Sequence, residues 1–192
     1  MSPRHQAALA IEHALLGWLL HESLHGYELH QRLQDAAALG LVWRLKQAHL
    51  YALLGKLLAA GLIAPAAAEH AAESGGRLRR PLRITEAGRR AFAAWVVAPV
   101  EHGRELRLEF LAKLFWAHRL GPATTQRLIE AQRRACRGWL AQLDAELERT
   151  PVEQPYARLV LTFRRNQINA SLAWLDTCAT GVASEATARL GP

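Results

Sequence analysis

The sequence is poor in the residues that staple a small fold or carry it across a membrane. Its only cysteines, Cys136 and Cys178, lie far apart and in no metal-ligand spacing. Isolated thiols build no disulfide framework and suit a reducing compartment. No apolar run in the chain approaches the roughly 20 residues that a bilayer-crossing helix needs. The opening stretch MSPRHQAALAIEHALLGWLL is broken by Glu12 and His13, and no small-residue cleavage site follows it. It does not read as a signal peptide. A soluble, cytoplasmic protein with no membrane partner is the expectation. Acid is scarce as well: 17 Asp and Glu stand against 24 Lys and Arg, a formal net charge of +7. That excess favours a polyanionic partner, nucleic acid before an anionic membrane surface. What is present is apolar. With 51 % hydrophobic and 21 % charged residues over 192 positions, the chain is globular and long enough for one or two small domains.

Periodicity divides the chain into two halves. Ala8, Ile11, Leu15, Trp18 and Leu19 recur at helical spacing up to a break at residues 23–26. Tyr27, Leu29, Leu33, Ala36 and Ala37 mark a second short helix that stops near Gly40. Leu50, Leu53, Leu54, Leu57 and Leu58 form the stripe of a third, which Gly61 closes. The period then changes. Leu62, Ile63, Ala64 and Pro65 begin a strand, Ser74-Gly75-Gly76 signals a turn, and Leu78, Leu82 and Ile84 alternate with Arg77, Arg79 and Arg83. Pro81 implies an edge strand or the start of the pairing. Thr85 suits the N-cap of a fourth helix running to about Val97, with Pro99 beyond it. The remainder reads as helices over residues 105–119, 122–149 and 156–177, followed by a small-residue tail. The fold expected is mainly α: an N-terminal winged helix-turn-helix with a two-stranded β wing over residues 1–99, and a C-terminal α-helical domain over residues 100–192.

Charge placement points the first half at DNA. No acid lies between Asp35 and Glu69, an interval that holds Arg44, Lys46 and Lys56. From Arg77 to Arg90, six arginines face one acid, Glu86. Such clustering is self-repelling, and a phosphate backbone relieves it. A merely solvated arginine-rich hairpin is the competing reading. In a winged helix the third helix enters the major groove and the wing reaches a neighbouring groove or the backbone.

Several segments in this order resemble PadR-family regulators. LLGWLLHESLHGYELHQRL, with His25-Gly26-Tyr27-Glu28, resembles the family's opening, and HLYALLGKLLAAGLI its recognition helix. RITEAGRRAFAAW resembles the entry to the fourth helix, and EFLAKLFWAHRL the first helix of the C-terminal domain. The resemblance implies a homodimer joined through its C-terminal helices, usually a repressor on a two-fold double-stranded operator, often released by a small aromatic or drug-like effector. It places His25 and Tyr27 near the DNA backbone, Tyr51 on the recognition helix, and Arg77, Arg79 and Arg80 on the wing. The competing reading of Tyr27 is a core aromatic, and of Tyr51 packing against the wing. Where the family usually has proline, position 52 is alanine. The outward face of the third helix is Ala48, Ala52, Gly55 and Ala59, small residues with no hydrogen bonds to offer bases. Readout would then fall to Gln47, His49 and Lys56, or to DNA shape. The family's effectors bind near the domain junction, which Trp95 and Trp116 flank here; a core role for both is the competing reading.

One motif points elsewhere. His21-Glu22-Ser23-Leu24-His25 matches HExxH, the zinc-protease signature. That chemistry requires both histidines on one continuous helix face and a third ligand. Gly26 follows the second histidine directly, and the extended motif's glycine and third histidine are Glu28 and Gln31 here. The expectation is a regulator without catalytic activity, cofactor or metal. A zinc hydrolase on this segment, or a winged helix that binds protein, are the alternatives.

Overall fold

The computed structural model describes residues 6–35, 39–66 and 80–189. Helices α1 (Gln6–Trp18), α2 (Gly26–Gln34), α3 (Leu39–Val42) and α4 (Gln47–Ala59) come first. Strands β1 (Ile63–Pro65) and β2 (Leu82–Ile84) pair antiparallel, Ile63 opposite Ile84 and Pro65 opposite Leu82. Helix α5 (Glu86–Val97) completes a winged helix-turn-helix, a mainly α architecture with one small sheet. A 3-10 turn (Gly103–Arg107) precedes α6 (Glu109–Leu120), α7 (Pro122–Arg149) and α8 (Pro155–Arg189). The chain forms two compact units, Met1–Val96 with Arg107–Trp116, and Val97–Leu106 with Ala117–Pro192. Residues 107–116, which the sequence puts in the second domain, thus pack with the first unit, where Phe110, Ala112 and Trp116 are buried.

In the first unit, leucines at helical spacing make the core. Leu15, Leu16 and Leu19 from the α1 end, Leu29 and Leu33 from α2, and Leu50, Leu53, Leu54 and Leu57 from α4 are all buried. Helix α4 ends in a full Schellman motif. The Leu62 N–H donates to the Leu57 carbonyl at 3.0 Å and the Gly61 N–H to Leu58 at 3.1 Å, with Gly61 at a φ of 68 that favours glycine. Thr85 joins this turn to α5. Its hydroxyl lies 2.7 Å from the Gly61 carbonyl and 3.0 Å from that of Leu62, and it accepts the Gly88 N–H at 3.1 Å. The N-cap expected at Thr85 is therefore also a long-range tie.

The sheet has a third participant. Leu24 bridges Leu82, donating to its carbonyl at 3.0 Å and accepting its N–H at 2.8 Å. β2 thus lies between Leu24 and β1, and Pro65 falls on the outer strand, where its missing N–H costs least. Pro81 stands just before β2, and its carbonyl still accepts from Ala66 at 2.8 Å.

Three element boundaries depart from the sequence reading. Gly40 does not stop a helix but lies inside α3, whose turn is held by the Gly40 N–H on the Asp35 carbonyl at 3.1 Å. The helix expected over residues 105–119 begins instead as a 3-10 turn, at whose entry the Glu105 carboxylate accepts the N–H groups of Glu101 and His102 at 3.1 and 3.0 Å. The small-residue tail after residue 177 is helical as far as Arg189. Alanine is the best helix former, and a single interior glycine, Gly181, does not end a helix.

In the second unit α7 and α8 form an antiparallel hairpin. Arg133 pairs with Asp176 at 2.6 Å and Asp144 with Arg165 at 3.8 Å, eleven residues forward on one helix and eleven back on the other. Leu161, Ile168 and Leu175, seven residues apart, are buried along α8. The Arg158 guanidinium donates to the carbonyls of Leu147 and Thr150 at 3.1 and 2.7 Å, capping the end of α7. The wholly buried Gln132 accepts the Val100 N–H at 2.8 Å. Cys136 and Cys178 are free, and burial pushes both thiols up, which keeps them protonated.

Replacing Thr85 by alanine removes the cap and leaves the Gly88 N–H unmet. We expect a loss of about 1–2 kcal/mol in urea unfolding, with Thr85→Ser retaining most of the stability.

Candidate nucleic-acid interface

Helix α4 presents one face to the core and the other to solvent. Opposite its buried leucines, Gln47, Ala48, His49, Ala52, Lys56 and Ala59 are exposed, as are Arg44 and Lys46 just before it. Gly55 lies on the same open side: a Cβ built there meets nothing within 4 Å. The interior of the fold therefore does not require glycine at this position. The carbonyl of the N-cap Lys46 accepts from His49 and Leu50 at 3.0 and 3.1 Å, but no side chain caps the helix. Its approach is fastened from α2 instead, where His30 Nε2 and Gln34 Nε2 lie 3.2 and 2.9 Å from the Leu45 carbonyl.

The start of α2 adjoins α4. His25 is its N-cap, with extended backbone, and its N–H donates to the Glu28 carboxylate at 2.6 Å, the reach-back of a capping box. The His25 ring stacks on Tyr27 with centroids 5.6 Å apart, and Tyr27 is 52 % exposed, so it is not a core aromatic. Tyr51 is half-buried. Its ring roofs Gly26, where a Cβ would come within 2.9 Å of Cε1. The structure thus brings His25, Tyr27 and Tyr51 together where α2 begins, beside the first turns of α4.

Of the wing arginines, Arg77 and Arg79 lie outside the described residues, while Arg80 is half-buried at the wing base. Arg83 points to solvent from the middle of β2. Lys56 is engaged on its own molecule, its ammonium 3.7 Å from the buried Glu12 carboxylate of α1. The sequence reading passes over Arg44, Lys46 and Arg83 as contacts. Their only signals are the acid-free interval and the strand alternation.

The HExxH helix is not formed. Residues 21–25 lie between α1 and α2, with Leu24 drawn out in the bridge to Leu82. Glu22 is paired with Arg32 at 2.8 Å, and that guanidinium's hydrogen bond holds its carboxyl below the usual carboxylate range. A carboxylate so engaged, off any helix, cannot serve as the motif's base.

Both candidate effector tryptophans belong to the first unit. Trp116 is buried against Gly17, where any Cβ would overlap its ring, with Trp18 edge-on at 4.8 Å and Phe92 and Phe115 at 5.8 and 5.1 Å. Trp95 donates from Nε1 to Glu109 at 3.1 Å, stacks on His13 at 5.8 Å, and lies beneath the ammonium of Lys113, itself 3.1 Å from Glu109. The buried Lys113 is thus neutralised by the carboxylate that the indole also binds.

A helix-turn-helix with its exposed helix bordered by cations and followed by a basic two-stranded wing defines a winged-helix regulator. Residues 15–94 match the model of the transcriptional regulator PadR-like family, and residues 106–182 match the virulence activator alpha C-terminal model. Among solved structures, Bacillus subtilis PadR in complex with operator DNA is 21 % identical, covering 90 % of this chain and 98 % of its own, with a TM-score of 0.40. The same protein in complex with p-coumaric acid is 20 % identical over 91 % and 99 % of the two chains, with a TM-score of 0.40. The Vibrio cholerae virulence activator AphA is 22 % identical over 91 % and 99 %, with a TM-score of 0.38. No curated protein matches the sequence. Among the described residues, no helix is long and apolar enough to cross a membrane.

Because Trp116 fills the core beside Gly17, Trp116→Ala should lower the stability of the first unit by about 3–5 kcal/mol, read as a shift in the denaturant midpoint. A change below 1 kcal/mol would remove Trp116 from the core account.

Proposed function

We propose that the chain is a cytoplasmic, non-enzymatic, dimeric repressor that binds a two-fold DNA operator and is released by a small aromatic or drug-like molecule. The observation that carries this reading is the cation-bordered open face of α4, residues 47–59, within the segment that matches the PadR-like family model. Gln47 and His49 would read base edges from its first turn, with Ala48, Ala52 and Gly55 allowing the helix close to the groove floor. His25, Tyr27 and Tyr51 would contact the backbone beside it, and Lys56 would do so only by leaving Glu12. Arg77, Arg79 and Arg80 would hold phosphates from the wing, giving affinity and position rather than sequence choice. Trp95 and Trp116 are the proposed effector contacts, and Trp95 carries the charged groups, Glu109 and Lys113, that a polar aromatic would disturb.

The second copy would dock on α8. Tyr156, Leu159 and Phe163, at i, i+3 and i+7, are 80, 69 and 62 % exposed, whereas Leu161, Ile168 and Leu175 are buried. An apolar stripe set apart from the buried seam is what a helical dimer covers, and two-fold pairing would make the patch self-complementary.

Two measurements test the reading. In gel-shift titrations over a range of salt, Arg79→Ala and Arg80→Ala should each flatten the slope of log K against log salt by about one; unchanged slopes would take the wing out of the interface. In light scattering, Phe163→Glu should convert dimers to monomers with helicity preserved, and a variant that stays dimeric would move the interface off α8.

A further inference from the structure

The entry to α4 is unusual in how it is held. A helix of this kind ordinarily has Ser, Thr, Asp or Asn at its N-cap, which fixes the first turn locally. Here the N-cap is Lys46 and no side chain caps the helix. The neighbouring carbonyl, that of Leu45, instead meets two side chains from the preceding helix, His30 Nε2 at 3.2 Å and Gln34 Nε2 at 2.9 Å. A carbonyl oxygen only accepts, so both nitrogens donate, and His30 must carry its hydrogen on Nε2. The residues stand one helical turn apart on α2 and so share a face. Leu45 itself is buried, so its side chain anchors the turn while its carbonyl is held from α2.

Resting on the DNA-binding reading above, we propose that His30 and Gln34 are positioning residues for recognition. By clamping the Leu45 carbonyl they set the angle at which Lys46, Gln47 and His49 reach the groove, without touching DNA themselves. The groups nearest the clamp fit that role. Gln47 and His49, the side chains proposed above to read base edges, lie within four residues of Leu45, in the first turn of α4. Phosphate contacts depend mainly on charge and tolerate a shift, but a base-edge hydrogen bond fails when its donor is misaimed. Loss of the clamp should therefore lower discrimination and leave general affinity for DNA in place.

The test uses the full-length protein and the duplex it selects from fragments of its host genome, against a scrambled duplex of equal length and composition. The variants are His30→Ala and Gln34→Met, which remove a donor without adding charge, and His30→Gln, which returns an N–H of similar reach. Expected for the first two is a fall of about tenfold or more in the ratio of selected to scrambled affinity, with the salt slope and melting temperature unchanged. His30→Gln should recover most of the ratio. An undiminished ratio in His30→Ala and Gln34→Met overturns the clamp, as does a ratio that falls only in step with melting temperature. If the wild-type protein selects no fragment at all, the DNA-binding reading fails, and the clamp's role in recognition fails with it. That outcome is distinct from a wild type that selects DNA and variants that keep its preference.

Discussion

The backbone of Leu24 exchanges both of its hydrogen bonds with Leu82, at 3.0 and 2.8 Å, between two side chains that are themselves buried. These bonds draw the α1–α2 connection out into an extended segment, place His25 at the N-cap of α2 and hold the base of the wing against it. Leaving such buried groups unmet would cost about 1–3 kcal/mol each. Thr85 makes the complementary tie on the far side of β2, joining the end of α4 to the start of α5. Between these two fastenings, the helix proposed to enter DNA and the wing proposed to grip it form one frame. A regulator needs that rigidity, since base contacts tolerate little error in position.

The frame also explains how charge and shape are divided. The face of α4 open to solvent is mostly alanine and glycine, so the contribution proposed for it is close approach and a few polar contacts near its first turn. Apart from Lys56, which Glu12 engages, the cations lie off that face: Arg44 and Lys46 before the helix, Arg80 and Arg83 on the wing. Affinity from the border and selectivity from a short polar segment make the orientation of that segment decisive. The two donors on the Leu45 carbonyl supply an orientation that the absent cap does not.

Much of this was legible in the residues alone. The leucine stripe of α4, the Gly61 stop, the Thr85 cap and the Pro122–Arg149 helix follow from spacing and local chemistry, and the structure keeps each. The order of motifs carried the winged helix and the resemblance to PadR-family regulators. What could not be read depends on contacts distant in sequence. The break at residues 23–26 is legible, but not that Leu82, far along the chain, pairs with Leu24; Lys56 looks free until Glu12 meets it; residues 107–116 look like a second domain until Trp116 seats on Gly17. The hydrogen bonds of His30 and Gln34 have no signature in the sequence, because nothing local marks a carbonyl fifteen and eleven residues away as their acceptor. Tyr27 and Tyr51 were ambiguous for the same reason, and only their surroundings separate an exposed ring from one packed on a helix start.

The central claim is that two copies of α4 enter successive major grooves on one face of a duplex. Hydroxyl-radical footprinting on the selected fragment tests it most directly. The account predicts two equivalent protected patches on one face of the helix, related by a two-fold and centred about one turn, roughly 10 base pairs, or a small multiple of it, apart. A single unsymmetrical patch, or protection spread evenly along the backbone, would contradict it.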